Sequence, residues 1–175
     1  MMTPETLLTF FSASLLLGLA PGPDNIFVLT QSALRGRGAG VAVTLGLCTG
    51  LVGHSLAVSF GVAVIFQTSA LAFTTLKFIG AAYLVYLAWQ AFRAPAEAIA
   101  IRQSGGPGYA RLYRRGIVMN IPNPKVSIFF LAFLPQFADP AAGPVWLQLL
   151  LLGGLFIVAT ILVFGTIALL AGTLG

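Results

Sequence analysis

Charge is what this chain lacks. Asp, Glu, Lys and Arg make up 7% of its 175 residues, against roughly a quarter in soluble domains. So few charges cannot clothe a water-facing surface, and the chain is expected to sit in membrane lipid. Cysteine is nearly absent as well. The single Cys48 excludes an internal disulfide and any multi-cysteine metal site; it is expected to be plain packing inside a span. One histidine and four acids leave little from which to build a metal cage, and no metal or other cofactor is expected. No basic stretch is interleaved with aromatics, so nucleic acid is not a partner, and the net charge of +5 is read as topology. A basic leader is missing too. The apolar run 7–20 has the length of a signal peptide, but Glu5 precedes it with no Lys or Arg. It is therefore read as part of a span.

What is present is long apolar sequence. A spanning helix needs about 20 residues at 1.5 Å each, and five candidates fit: Thr6–Leu34, Ala39–Phe66, Ala70–Phe92, Gly116–Phe137 and Val145–Ala171. The fold class is an all-α, polytopic transmembrane bundle. Arg35 and Arg37 lie between the first two spans, and Arg93, Arg102, Arg111, Arg114 and Arg115 between the third and fourth. The connections Gln67–Ser69 and Ala138–Pro144 carry no Lys or Arg. Basic connections face the cytoplasm, which puts the N-terminus outside and the end of the fifth span inside. The stretch Ser104-Gly105-Gly106-Pro107-Gly108 reads as a solvated or headgroup-facing linker.

Two of the spans are interrupted in the same way. The first contains Pro21-Gly22-Pro23-Asp24 and the fourth Pro122-Asn123-Pro124-Lys125. Corresponding breaks in two halves of a membrane protein point to a transporter's binding site. A repeat of three helices with a break in its first member inverts the second unit in the membrane. Residues 1–92 are the first unit, 93–115 a basic cytoplasmic connection, and 116–175 the second unit. Two units require six helices, so the third helix of the second unit is expected to be missing from this sequence, by truncation in preference to supply from a partner. Gly153, Gly154, Ala159 and Gly165 on the fifth span are expected to face it.

The breaks supply the candidate site. Proline has no N–H and displaces the carbonyl four residues earlier. Pro21 and Pro23 are expected to free the carbonyls of Leu17 and Leu19, and Pro122 and Pro124 those of Val118 and Asn120. Gly22 permits close approach of a ligand. Asp24 and Asn25 are placed as N-cap residues of the following helix, and Asn120 and Asn123 add amides. Ionisable groups inside spans are functional candidates. Asp24 and Lys125 either pair with each other or hold opposite ends of a zwitterion. Displacement of Lys125 by substrate would let Asp24 take up a proton. Two accessory positions follow. Lys77 either snorkels to the outer interface or lines a pathway. His54 falls in register with Ala42, Gly46 and Gly50, and small residues at that spacing let helices pack closely. It is read as an interhelical hydrogen-bonder before a proton relay, and Gly46-x-x-x-Gly50 as an alternative homodimer contact. Tyr83, Tyr86, Trp89 and Trp146 read as interfacial belts.

These residues also carry a family likeness. Ala20-Pro21-Gly22-Pro23-Asp24-Asn25, Gly80-Ala81-Ala82-Tyr83-Leu84, Asn123-Pro124-Lys125, Phe129-Phe130 and Leu134-Pro135-Gln136-Phe137 resemble, in order, the LysE-type exporters, which include homoserine and threonine exporters. The resemblance covers essentially the whole chain. It implies a six-helix protein of the bacterial inner membrane that exports amino acids, with coupling to protons, and a chain about one helix longer than this one. The competing functions are a related metal-ion exporter, an intramembrane enzyme and a non-transporting membrane subunit. The first needs more ligating side chains than the spans hold, and the second a nucleophile–base pair they do not contain.

Overall fold

The computed structural model describes residues 2–62, 70–93 and 108–173. Among them every regular element is helical. α1 (Pro4–Leu19) opens with Pro4 in its first turn and the Thr3 hydroxyl accepting the Thr6 N–H at 3.2 Å, a standard helix start. It stops where Pro21 and Pro23 can no longer donate to the ladder. α2 (Pro23–Arg35) begins on Pro23 with Gly22 as its cap and ends at Gly36, whose φ of +78° suits glycine. α3 (Arg37–Ala57) continues through a π-helical turn, Val58–Val62. α4 covers Ala70–Arg93 and α5 Tyr109–Asn120. After the second break α6 (Pro124–Ile128) runs into a π turn, Phe129–Phe133, and a 3-10 turn, Leu134–Phe137. A short 3-10 turn, Pro140–Ala142, leads to α7 (Val145–Ala171), whose 27 residues span about 40 Å at 1.5 Å each.

Two single helices, Arg37–Gly61 and Val145–Ala171, are long and apolar enough to cross a membrane. The pairs α1–α2 and α5 with Pro124–Phe137 pass the same test together, bent by 62° and 52° at their breaks. Counting each bent pair once gives up to four spans among the described residues, with a shorter apolar stretch, Lys77–Tyr86, on α4. The fourth expected span starts earlier than hydropathy suggested, with α5 opening at Tyr109 in place of Gly116. Arg111, Arg114 and Arg115 are thus exposed residues of α5 and not of a connection. Arginine is a good helix former, and its long stem lets a helix continue past the lipid with its charge in water. Arg102, most of the 104–108 linker and the 67–69 connection lie outside the described residues.

α7 is central. One apolar cluster joins its first half (Leu149, Leu152, Phe156) to Phe10 of α1 and to Phe129, Phe130 and Leu134. A second joins Val163, Phe164 and Ala168 to Val28 of α2 and to Val43 and Leu47 of α3. The most intimate crossing is between α3 and α5. A Cβ added to Gly116 would stand 2.5 Å from the Val43 carbonyl oxygen and 3.1 Å from Gly46 Cα, and one added to Gly46 would collide with the Tyr113 carbonyl. The small-residue face of α3 is therefore already covered by α5, so it is not open to a second copy. The small residues of α7 also divide. Gly153 packs on Ser55 and Ala159 is buried, whereas Gly154 and Gly165 meet nothing among the described residues.

Candidate functional site

The two breaks meet. Lys125 sits in the first turn of α6, where Asn123 caps the helix by accepting the Lys125 N–H on Oδ1 at 3.0 Å. From there its side chain crosses to the end of α1. The ammonium donates to the carbonyls of Ala20 at 2.8 Å and Leu17 at 3.0 Å, and to Asn25 Oδ1 at 3.3 Å. A helix C-terminus with orphan carbonyls carries partial negative charge, which suits a cation that is only 7% exposed. Leu17 is one of the carbonyls that proline was expected to free. Gly22 keeps the crossing open, since a Cβ there would stand 3.2 Å from Lys125 Nζ.

Asn25 departs from expectation. It is the third residue of α2, not its cap, and its Nδ2 reaches back to the Gly18 carbonyl at 2.6 Å. Asp24 does not cap either. Proline at the first helical position places the carboxylate in the first turn, where the helix dipole favours it. Asp24 is 3% exposed. Its Oδ2 accepts from Asn120 Nδ2 at 3.4 Å, while Asp24 Oδ1, Asn120 Oδ1 and Asn123 Nδ2 are buried without a hydrogen-bond partner. Lys125 and His54 both act on it electrostatically. The two opposite charges are therefore neighbours, but neither hydrogen-bonds to the other.

A cavity of about 980 Å³ opens on one side of this junction. α1 lends Leu16 and Leu17, α2 Phe27 and Thr30, and α4 Tyr83 and Leu84, while the breaks lend Pro21, Gly22, Asn123 and Lys125. Phe129 and Phe133 complete an aromatic wall. Lys125 is the one charged residue among those lining it, and Thr30, Tyr83 and Asn123 are the other polar side chains. Asp24, Asn25 and Asn120 are not in the lining. Asp24 and Asn120 lie toward α3 and α5, whereas Asn25 bridges the end of α1 and Lys125. As placed, Lys125 lines this cavity and Asp24 does not.

Of the accessory positions, His54 comes to the junction and Lys77 does not. His54 Nε2 lies 3.3 Å from the Asn120 carbonyl, one of those expected to be freed by proline, and its ring packs on Phe130. Lys77 is half-buried on α4, outside the cavity lining. Tyr83 was read as part of an aromatic belt and lines the cavity instead. The Gly80–Leu84 motif holds the signal for it. Gly80 seats α4 against Ala132, where a Cβ would collide, and that close approach brings Tyr83 and Leu84 to the cavity. Tyr86 and Trp89 are exposed, with the Arg93 guanidinium 4.3 Å over the Trp89 ring, and Trp146 stacks on Phe60.

The comparisons with known proteins fit this arrangement. A homoserine/homoserine lactone efflux protein of Salmonella typhimurium is 39% identical over 174 residues, covering 97% of this chain and 82% of that protein. A membrane protein of Vibrio cholerae without an assigned function is 35% identical over 165 residues, covering 94% and 80%. No solved structure matches the chain. The family model for LysE type translocators matches residues 15–175, and that span takes in both breaks and every cavity-lining residue except Ala13. The chain belongs to the LysE type translocator family and is a multi-pass membrane transport protein, not an enzyme.

Proposed function

We propose that this protein exports small amino acids of the homoserine type across the bacterial inner membrane, in exchange for protons. The observation that carries it is Lys125: a buried ammonium at the edge of a mostly apolar cavity, held by neutral oxygens alone. A substrate carboxylate is a stronger partner for an ammonium than a neutral carbonyl, because charge-assisted hydrogen bonds are the shorter and stronger kind. Substrate arrival would draw Lys125 away from the end of α1. Asp24, losing the field of that cation, would then favour its protonated form. The roles of Pro21, Gly22, Pro23, Pro122 and Pro124 are to keep both helices broken at this level, while Asn25 ties α2 to the Gly18 carbonyl, Asn123 caps α6 and Asn120 holds Asp24. Two inverted three-helix units rocking about the breaks would expose the cavity alternately to either side. Support for the substrate class comes from the Salmonella relative.

The test is efflux of labelled homoserine from liposomes containing the purified protein, with and without a pH gradient. Lys125→Met is expected to reduce homoserine efflux to the protein-free leak while melting normally in detergent. Wild-type efflux no faster than that leak would sink the proposal.

A further inference from the structure

We infer that His54 is a positioning residue for Asp24, acting through Asn120 and apart from the substrate cavity. The inference rests on Asp24 being the proton carrier and adds a partner to it. A carbonyl oxygen only accepts hydrogen bonds, so the 3.3 Å contact from His54 Nε2 to the Asn120 carbonyl requires the proton on Nε2. The same carbonyl also accepts the Asn123 N–H at 3.0 Å. Two donors, one from α3 and one from the break, thus hold the last residue of α5. The Asn120 side chain then reaches Asp24 from α5 at 3.4 Å. Gly50, one turn before His54, leaves the slot for it, since a Cβ there would stand 2.6 Å from Asn120 Oδ1. α3 therefore supplies both the slot for the amide and a donor to its backbone.

What Asn120 does for Asp24 follows from its two ends. The ionised carboxylate accepts from Nδ2, the contact present now. Asp24 Oδ1 and Asn120 Oδ1 are both buried and both without a partner. A proton arriving on Asp24 Oδ2 turns that atom into a donor, and the amide, rotated about its last bond, offers Oδ1 in place of Nδ2 to accept it. One residue thus serves both charge states of Asp24, and its backbone is anchored by His54. The charged or titratable groups facing Asp24 are Lys125 from α6 and His54 from α3. None of Asp24, Asn120 or His54 lines the cavity, so disturbing this link should alter the response to protons before it alters the grip on substrate.

Liposomes loaded with labelled homoserine and held at a series of external pH values test this with wild type, His54→Gln and His54→Leu. His54→Leu is expected to slow gradient-driven export about fivefold, the worth of one ordinary hydrogen bond, and to shift the pH profile. The half-saturating homoserine concentration should stay unchanged. His54→Gln, which retains an N–H donor, should recover both rate and profile. Wild-type behaviour of His54→Leu overturns the inference, and so does a half-saturation that moves while the profile stays. If His54→Leu does not fold, Gly50→Ala displaces the same amide with His54 intact. It should shift the profile too, and an unshifted profile overturns the inference. A wild type indifferent to the pH gradient would remove the proton reading of Asp24 itself, which the wild-type measurement decides alone.

Discussion

At the scale of single residues, the junction separates two charges that the sequence presents as equivalent. Lys125 has three oxygen partners and borders the cavity; Asp24 faces the amides of Asn120 and Asn123 and lies outside the cavity lining. Asp24→Asn should therefore leave homoserine binding in place. The substituted amide keeps an oxygen for Asn120 Nδ2, so melting in detergent should change little, but it cannot exchange a proton. Homoserine efflux by Asp24→Asn is expected to lose its acceleration by a pH gradient while exchange of homoserine across the membrane persists. A gradient response like that of wild type would exclude the proton role. The proline breaks and both charges were legible in the sequence because each violates what a lipid-buried helix tolerates. The cavity wall was not. Phe27, Thr30, Tyr83 and Phe133 look like any span residue until packing assigns them a face.

At the scale of elements, the α3–α5 crossing is the most exacting contact. The line Ala42, Gly46, Gly50, His54 was readable as one helical face from its spacing alone. Its partner was not, because the charges of Tyr109–Arg115 made the start of α5 look like a connection. Backbone meets backbone here, so there is no side chain to yield. Gly46→Ala and Gly116→Ala should each destabilise the protein by about 1–3 kcal/mol, the usual cost of overpacking, measured as a lowered melting temperature in detergent. Gly154→Ala is the matched control, since a Cβ there meets nothing among the described residues, and a helical alanine is better than a glycine by about 1 kcal/mol. Equal melting of all three would show that the crossing is looser than described.

At the scale of the whole molecule, the placement of the basic residues predicts an orientation that can be tested chemically. Gly108 stands at the start of α5 and is exposed among the described residues, and Ala141 is exposed in the turn before α7. In a Cys48→Ser background, cysteines at these two positions should react from opposite sides of the membrane, with position 108 reached only from the cytoplasm. Labelling of both from outside intact cells would overturn the orientation. The order of the helices was legible from hydropathy. The path of the chain through the second break was only partly so, since a short helix, a π turn and a 3-10 turn succeed one another there within fourteen residues, 124–137.

The glycine crossing bears on how such a molecule could move at all. Side-chain ridges can slip past one another by changing rotamers, but bare main chain in contact has no such freedom. α3 lends no residue to the cavity and α5 lends only Met119, while the remaining walls come from α1, α2, α4, α6 and the breaks. In the rocking proposed above, α3 and α5 would be the fulcrum, stationary with respect to each other, and the lever arms would be α1, α2, α4 and the chain after the second break. Spin labels on α3 and α5 should keep one separation with and without homoserine, while labels on α1 and α4 change theirs. A separation between α3 and α5 that shifts with homoserine would move the fulcrum elsewhere.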